Sequence, residues 1–218
     1  MWRVAVGEAE TSAVHEPATT TRSRGVFVCA HGAGGNMSDR SLLAAATMFR
    51  SIGLDVVRFN FPYRERKSGR PDPMPVLENT IRAVVDKVRD ELAPHRLYIG
   101  GRSMGGRAAS MLASNGFECD GVILLAYPLH PPGAPEKLRD AHLAHIHQPV
   151  SCFNGTRDAF CTRALMERVL AGVGKNWEMH WLEGADHSFH VNKSSGRTDA
   201  DVLAEVGSAV EAWLPDAH

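Results

Sequence analysis

The sequence predicts an α/β fold in which a mostly parallel sheet is flanked by helices. Short runs rich in apolar and β-branched residues alternate with longer amphipathic runs along the chain. The short runs are nearly continuously apolar, which is typical of parallel strands buried on both faces. Strands that alternate with helices join through right-handed crossovers. The 218 residues suffice for a sizeable core, and we expect one domain over residues 1–218.

The predicted elements follow one another in regular order. Six strands are predicted at residues 25–30, 55–61, 96–101, 121–127, 150–154 and 177–182. Five helices are predicted at residues 38–51, 75–92, 106–114, 162–171 and 199–213. Gly53 is suited to cap the first helix, and Pro94 stops the second. Within residues 1–24, the segment 2–16 predicts an antiparallel strand or hairpin at one edge of the sheet.

Two stretches are predicted to be irregular. Residues 62–75 are rich in Pro, Arg and Lys, and residues 127–149 hold five prolines and four histidines. Both follow predicted strands, and ligands of open α/β sheets bind outside the carboxyl ends of the strands. We therefore expect both stretches to shape a binding pocket. Neither is long enough for a large cap domain.

The composition excludes several classes of function. The formal net charge is −1, so no overall field favours nucleic acid or an anionic membrane. No apolar stretch approaches the roughly 20 residues of a membrane span, and the N-terminus lacks the apolar core of a signal peptide. We expect a cytoplasmic protein. Its cysteines form no C-x-x-C pair and are expected to be small buried hydrophobic residues: Cys29, Cys119, Cys152 and Cys161.

The segment Gly101-Arg102-Ser103-Met104-Gly105 is the most informative motif. It lies between the strand predicted at 96–101 and the helix predicted at 106–114. A G-x-S-x-G nucleophile elbow requires this order of strand, tight turn and helix. Gly101 and Gly105 relieve crowding in the strained turn. The turn exposes the hydroxyl of Ser103 at a helix N-terminus, which favours a developing negative charge. An ordinary glycine-rich turn is the alternative.

A serine nucleophile needs a base, and the base needs an orienting acid. In this architecture the chain order is serine, acid, histidine. Asp158 follows the strand predicted at 150–154, and His187 follows the strand predicted at 177–182. Asp158 could instead cap the helix predicted next, and His187 could be structural. Asp186 is a rival acid, but its adjacency to His187 places it badly for reaching that imidazole.

An oxyanion hole needs two backbone N–H donors aimed at one point. Met104, the residue after the nucleophile, supplies one. The glycine-rich loop that follows the strand at 25–30 is the expected source of the other, and Ala33 is the candidate. In the same loop, His31 and Gly32 are predicted to support the backbone path rather than to act in catalysis.

Charged residues near these motifs have two interpretations. Arg64 and Arg102 could recognise an anionic group on a substrate, or they could be solvent-facing charges. The histidines His142, His145 and His147 lack a known zinc spacing, and a solvated helix face explains them better than a metal site.

Taken together, these motifs resemble those of the α/β-hydrolases, in particular the small dienelactone-hydrolase-like and KANL/testis-expressed-type branch. The resemblance covers the chain from about residue 25 onward, and its motifs are 31–36, 101–106, 154–158 and 184–187. It implies an α/β-hydrolase fold with Ser103 as nucleophile, Asp158 as acid and His187 as base. Dienelactone hydrolases proper use a cysteine nucleophile, so the serine here does not imply their substrate.

We expect a serine hydrolase that cleaves carboxylic esters through an acyl-enzyme, and we expect small or short-acyl substrates because the missing cap leaves little protein to enclose a long chain. Such a reaction requires neither a metal nor an organic cofactor. A thioesterase or peptidase would use the same triad. A third alternative is a non-catalytic interaction protein with this fold, since fold alone does not establish activity. The sequence does not determine the oligomeric state.

Overall fold

The computed structural model describes residues 1–216, which contain one eight-stranded sheet. The strands are β1 (Trp2–Val6), β2 (Ala9–Glu16), β3 (Val26–Ala30), β4 (Asp55–Phe59), β5 (Leu97–Arg102), β6 (Gly121–Leu125), β7 (Val150–Gly155) and β8 (Trp177–Leu182). Their order in the sheet is β1-β2-β4-β3-β5-β6-β7-β8. Strands β3 to β8 are parallel, whereas β1 pairs with β2, and β2 with β4, in antiparallel fashion. The predicted N-terminal hairpin therefore forms the edge of the sheet.

Six α-helices accompany the strands in the described part of the chain. They are α1 (Arg40–Ser51), α2 (Pro62–Glu65), α3 (Met74–Leu92), α4 (Met104–Ser114), α5 (Arg163–Leu170) and α6 (Asp199–Trp213). The prediction that residues 62–75 are irregular is wrong at both ends, because α2 and the start of α3 lie there. Pro62 and Pro75 occupy the first turns of these helices, where a proline needs no N–H partner and its fixed φ suits the helix.

Hydrophobic side chains cover both faces of the sheet. Along β3, Val26 and Val28 belong to one core, while Phe27 and Cys29 belong to the other. This alternation follows from the two-residue period of a strand. Helices α3, α4 and α5 contribute to the first core, and α1 and α6 contribute to the second. The predicted arrangement of helices flanking a mostly parallel sheet is confirmed.

Two strands end two residues earlier than predicted, both at the carboxyl edge of the sheet. Strand β4 stops at Phe59 and β6 stops at Leu125. The apolar runs continue past these points because Phe61 and Tyr127 are buried in the loops that follow. Ala126 turns the chain away from the strand with φ of 53°. Apolar sequence thus indicates burial at these positions but not strand pairing.

Within residues 1–216, the longest connection that contains no α-helix joins β6 to β7. Its only helical element is a 3-10 turn at Leu143–His145, and residues 1–216 contain no large cap domain. Within the same residues, no helix has both the length and the apolar character that crossing a bilayer requires. The ends of β5, β7 and β8 lie close together on the carboxyl edge of the sheet and carry the predicted catalytic residues.

Candidate active site

Ser103 occupies the tight turn between β5 and α4. Its backbone has φ of 49° and ψ of −115°, a region that non-glycine residues rarely adopt. A Cβ at Gly101 would lie 2.1 Å from the carbonyl oxygen of Ala30, and one at Gly105 would lie 2.6 Å from that of His31. Glycine is required at both positions because the turn is pressed against β3. The strain and the close packing present the Ser103 side chain at the N-terminus of α4.

His187 bridges the hydroxyl of Ser103 and the carboxylate of Asp158. The distance from His187 Nε2 to Ser103 Oγ is 2.9 Å. His187 Nδ1 lies 2.9 Å from each carboxylate oxygen of Asp158. The structure thus brings the three residues into one hydrogen-bonded line. In this line Nδ1–H faces the carboxylate, which leaves Nε2 free to accept the serine proton.

Two further groups hold the carboxylate of Asp158, whose side chain is fully buried. Asn154 Nδ2 donates to Oδ2 over 3.0 Å, and the backbone N–H of Phe160 donates to Oδ1 over 2.8 Å. Asn154 is fully buried and is fixed in turn by two hydrogen bonds with the backbone of Tyr127. Asp158 does not cap α5, whose N-cap residue is Thr162.

Sequence reasoning missed the roles of Asn154 and Phe160. A polar residue inside the apolar run of β7 was the available signal for Asn154, because buried amides need hydrogen-bond partners. Nothing in the sequence singled out Phe160. Its ring stacks on the imidazole of His187, with centroids 4.2 Å apart and an interplanar angle of 28°. Ring and N–H together hold the side chains of His187 and Asp158 in position.

The loop that carries His187 is shaped by its own polar groups. Asp186 Oδ1 accepts the N–H groups of Ser188 and His190 at 2.7 and 3.1 Å. Arg102 Nη2 donates to the carbonyl oxygen of His187 over 2.5 Å, and its guanidinium lies 5.2 Å from the centroid of the Phe189 ring. Asp186 and Arg102 therefore position the histidine loop. Because Arg102 is engaged within the protein, its contact with a substrate anion stays a prediction.

The predicted oxyanion loop lies beside the nucleophile. A Cβ added to Gly32 would lie 3.6 Å from Ser103 Cβ. The hydroxyl of Tyr63 donates to the carbonyl oxygen of Ala33 over 2.6 Å, and this hydrogen bond helps to fix the loop. The N–H groups of Ala33 and Met104 have no acceptor among residues 1–216 and are free to bind an oxyanion. Their role stays a prediction.

His31 connects this loop to the end of β4. Its Nδ1 lies 2.8 Å from the carbonyl oxygen of Gly32, and its Nε2 accepts the N–H of Phe61 over 3.1 Å. Burial lowers the pKa of His31 to about 4, so the ring is neutral near pH 7. A neutral ring with its proton on Nδ1 satisfies both contacts. The role of His31 in supporting the loop stays a prediction.

The remaining predicted side chains form no hydrogen bond with Ser103, Asp158 or His187 among residues 1–216. Arg64 donates to the carbonyl oxygen of Ser68 over 3.2 Å, and its Nε is buried without a partner among the described residues. The interpretation of His142, His145 and His147 as one solvated helix face is wrong. His142 is half-buried and lies 2.8 Å from Ser110 Oγ, whereas the other two are exposed around a 3-10 turn. In residues 1–216 no three metal-ligating side chains gather into one group.

Comparison with known proteins supports the resemblance. The model of the alpha/beta hydrolase domain family matches residues 23–215. Among similar solved structures, XC6422 from Xanthomonas campestris, a serine hydrolase without lid, is 20% identical with a TM-score of 0.79, covering 100% of this chain and 95% of its own.

Two other structures show the same fold. Est1E from Butyrivibrio proteoclasticus, solved with ferulic acid bound, is 16% identical with a TM-score of 0.75, covering 98% of this chain and 97% of its own. A dienelactone hydrolase from Anabaena variabilis is 18% identical with a TM-score of 0.75, covering 97% and 94%. At these identities the similarity is one of fold. The family match over residues 23–215 goes further, and the chain belongs to the alpha/beta hydrolase domain family.

Proposed function

We propose that this protein is a serine hydrolase that cleaves small or short-acyl carboxylic esters. The observation that carries the proposal is the hydrogen-bonded line from Ser103 through His187 to Asp158. The sequence motifs point to the same three residues. The alternative interaction protein without turnover gives no reason for a strained serine, an imidazole and a buried carboxylate to converge.

The proposed reaction has two halves. Ser103 Oγ attacks the ester carbonyl while His187 Nε2 takes the hydroxyl proton, and the carbonyl oxygen becomes an oxyanion held by the N–H groups of Ala33 and Met104. The C–O bond to the alcohol breaks, and His187 returns its proton to the departing alkoxide. Water then attacks the acyl-enzyme by the same route and releases the acid and Ser103. Asp158 holds the imidazole in the required tautomer throughout.

The preference for small esters rests on the loop from β6 to β7. This loop has only one 3-10 turn, so it offers little protein to enclose a long acyl chain. Ala33 is exposed, which places the oxyanion loop at an open surface. Among the similar structures, XC6422 is described as lacking a lid. Thioesters and amides carry the same kind of carbonyl group, which the proposed reaction could also attack. The experiment therefore compares the three types of leaving group directly.

The test combines covalent labelling with kinetics. We expect a fluorophosphonate probe to label the wild-type protein and not Ser103→Ala. Hydrolysis of 4-nitrophenyl acetate should fall by about 10⁴-fold or more in Ser103→Ala, since loss of a nucleophile leaves only the oxyanion hole and substrate binding. Ser51→Ala, at an exposed position at the end of α1, is the matched control and should keep both activities.

Two results would contradict the proposal. Labelling that persists in Ser103→Ala would assign the nucleophile elsewhere. A folded wild-type sample that resists labelling and turns over no ester would favour the interaction protein. Parallel acetyl esters, thioesters and anilides, compared by kcat/KM, distinguish an esterase from a thioesterase or a peptidase.

A further inference from the structure

We propose that Arg107 and Arg139 form a subsite for a carboxylate carried by the ester substrate. The subsite lies between α4 and the loop that joins β6 to β7. The proposal rests on the proposed function, because it assigns the substrate of the same Ser103 site. It concerns arginines other than Arg64 and Arg102, which the sequence had suggested.

Arg107 lies one turn into the helix that begins at the nucleophile. Its N–H donates to the carbonyl oxygen of Ser103 over 2.9 Å. Arg107 follows Met104 by three residues, and residues three apart share a face of a helix. Met104, Arg107 and Met111 are all partly exposed along this face. Helical side chains lean toward the N-terminus of their helix, so the Arg107 side chain leans toward the Ser103 end of α4.

Hydrogen bonds join α4 to the loop at this position. Ser110 Oγ lies 2.8 Å from the carbonyl oxygen of Arg107 and 2.8 Å from His142 Nε2. The hydroxyl of Tyr127 donates to the carbonyl oxygen of Arg139 over 2.7 Å and lies 3.4 Å from His142 Nε2. These contacts hold the backbone segments that carry the two arginines against each other.

Neither guanidinium has a partner in the described part of the chain. No side-chain nitrogen of Arg107 or Arg139 forms a hydrogen bond or an ion pair with residues 1–216, and Arg107 Nε is buried without any acceptor. Elsewhere, arginines do find carboxylates, as Arg58 does with Glu16 and Arg163 with Glu167. An arginine nitrogen that is withdrawn from water and left unpaired indicates a missing acceptor.

The local charge is positive and unbalanced. Burial and the charge of Arg107 lower the pKa of Arg139. Burial also lowers the pKa of His142 to about 4, so this ring adds no charge near pH 7. The charge of Asp140 acts to raise the pKa of His142, against the larger effect of burial, but Asp140 forms no ion pair with either arginine. A carboxylate suits this place, because guanidinium groups bind it through two parallel charge-assisted hydrogen bonds.

The experiment compares esters that differ only in a terminal charge. The substrates are the 4-nitrophenyl monoesters of glutaric and adipic acids, which are anionic, and 4-nitrophenyl pentanoate and hexanoate, which are neutral. We expect the ratio of anionic to neutral kcat/KM to fall by about 10- to 100-fold in Arg107→Gln and in Arg139→Gln, the effect of losing a hydrogen bond between charged groups. Arg107→Lys should recover part of the ratio. Arg163→Gln, which removes a surface charge from α5, is the matched control and should keep the wild-type ratio of anionic to neutral kcat/KM.

Competition in the wild-type protein provides a measurement that needs no variant. Free adipate should inhibit hydrolysis of the neutral ester competitively and more strongly than free hexanoate, and added salt should weaken this inhibition. An unchanged ratio in both arginine variants would overturn the subsite. A loss confined to Arg64→Gln would also overturn it, because charge recognition would then lie on another loop. Either result with intact Ser103 labelling leaves the proposed function standing, whereas absent labelling defeats the proposed function itself.

Discussion

The strongest single test of the site is the replacement Asp158→Asn, which keeps the volume of the side chain and removes its charge. In the structure, three N–H groups donate to this carboxylate: His187 Nδ1, Asn154 Nδ2 and the backbone of Phe160. An amide has one acceptor oxygen and one donor group. In either orientation of the new amide, its NH₂ faces a group that also donates.

The neighbours cannot adjust to the amide at low cost. Flipping Asn154 would break both of its hydrogen bonds with Tyr127. One or two donors would therefore be left unpaired in a buried site, at about 1–3 kcal/mol each in the free energy of unfolding. His187 can escape the conflict only by accepting through Nδ1, and the proton then sits on Nε2, where it blocks transfer from Ser103.

We expect kcat of Asp158→Asn to fall by about 10⁴-fold, as for the corresponding replacement in another triad hydrolase. Turnover of 4-nitrophenyl acetate and the rate of fluorophosphonate labelling measure the loss, and urea unfolding measures stability. Asp186→Asn is the matched control, because an amide oxygen can still accept the loop N–H groups. If Asp158→Asn kept kcat within tenfold while Asp186→Asn lost it, Asp186 would be the acid and the reasoning would be refuted.

Two further predictions concern residues that support the triad. Phe160→Ala should lower kcat by about 3- to 10-fold, because an aromatic pair contributes about 0.5–1.5 kcal/mol to the orientation of His187; Phe160→Tyr keeps the ring as control, and equal rates for all three proteins would remove the role of the ring. His31 has a folded pKa lowered to about 4 from 6.5. Its contribution to stability is therefore complete above pH 6.5 and is lost as pH falls toward 4. Between pH 7 and 5 the expected loss is about 2 kcal/mol, at 1.36 kcal/mol per pH unit below 6.5. Urea unfolding should show a smaller acid loss in His31→Gln than in the wild type or in His145→Gln, and an equal loss would contradict the assignment.

The sequence was sufficient for the fold and for the three groups that the structure joins in one hydrogen-bonded line. A parallel strand buried on both faces is largely apolar, so β3, β5, β6 and β7 are visible as runs, whereas the edge strand β8 is partly exposed and carries Glu178 and His180. A nucleophile elbow needs small residues around the serine, so Gly101 and Gly105 mark Ser103. Errors lay at element ends, because a buried loop residue such as Phe61 has the same apolar character as a strand residue.

Apart from Asn154, the groups that hold Asp158 and His187 in place could not be read from the sequence. Phe160 contacts His187 from 27 positions away, and its N–H reaches Asp158 only because the chain turns after β7. Arg102 resembles a surface charge in the sequence, yet it donates to the carbonyl oxygen of His187. Arg107 and Arg139 lie on different elements and share a site only after the loop from β6 to β7 packs on α4.

The linear order of residues determined the sheet, the elbow and the identity of a hydroxyl, an imidazole and a carboxylate, since local sterics and burial leave a pattern in the chain. Tertiary structure alone decided which donors bind the carboxylate of Asp158. It also decided that Arg102 donates to a backbone carbonyl oxygen, whereas the guanidinium groups of Arg107 and Arg139 have no partner among residues 1–216. Hydrogen bonds between distant segments depend on distance and direction in space, and neither leaves a period or a spacing in the sequence.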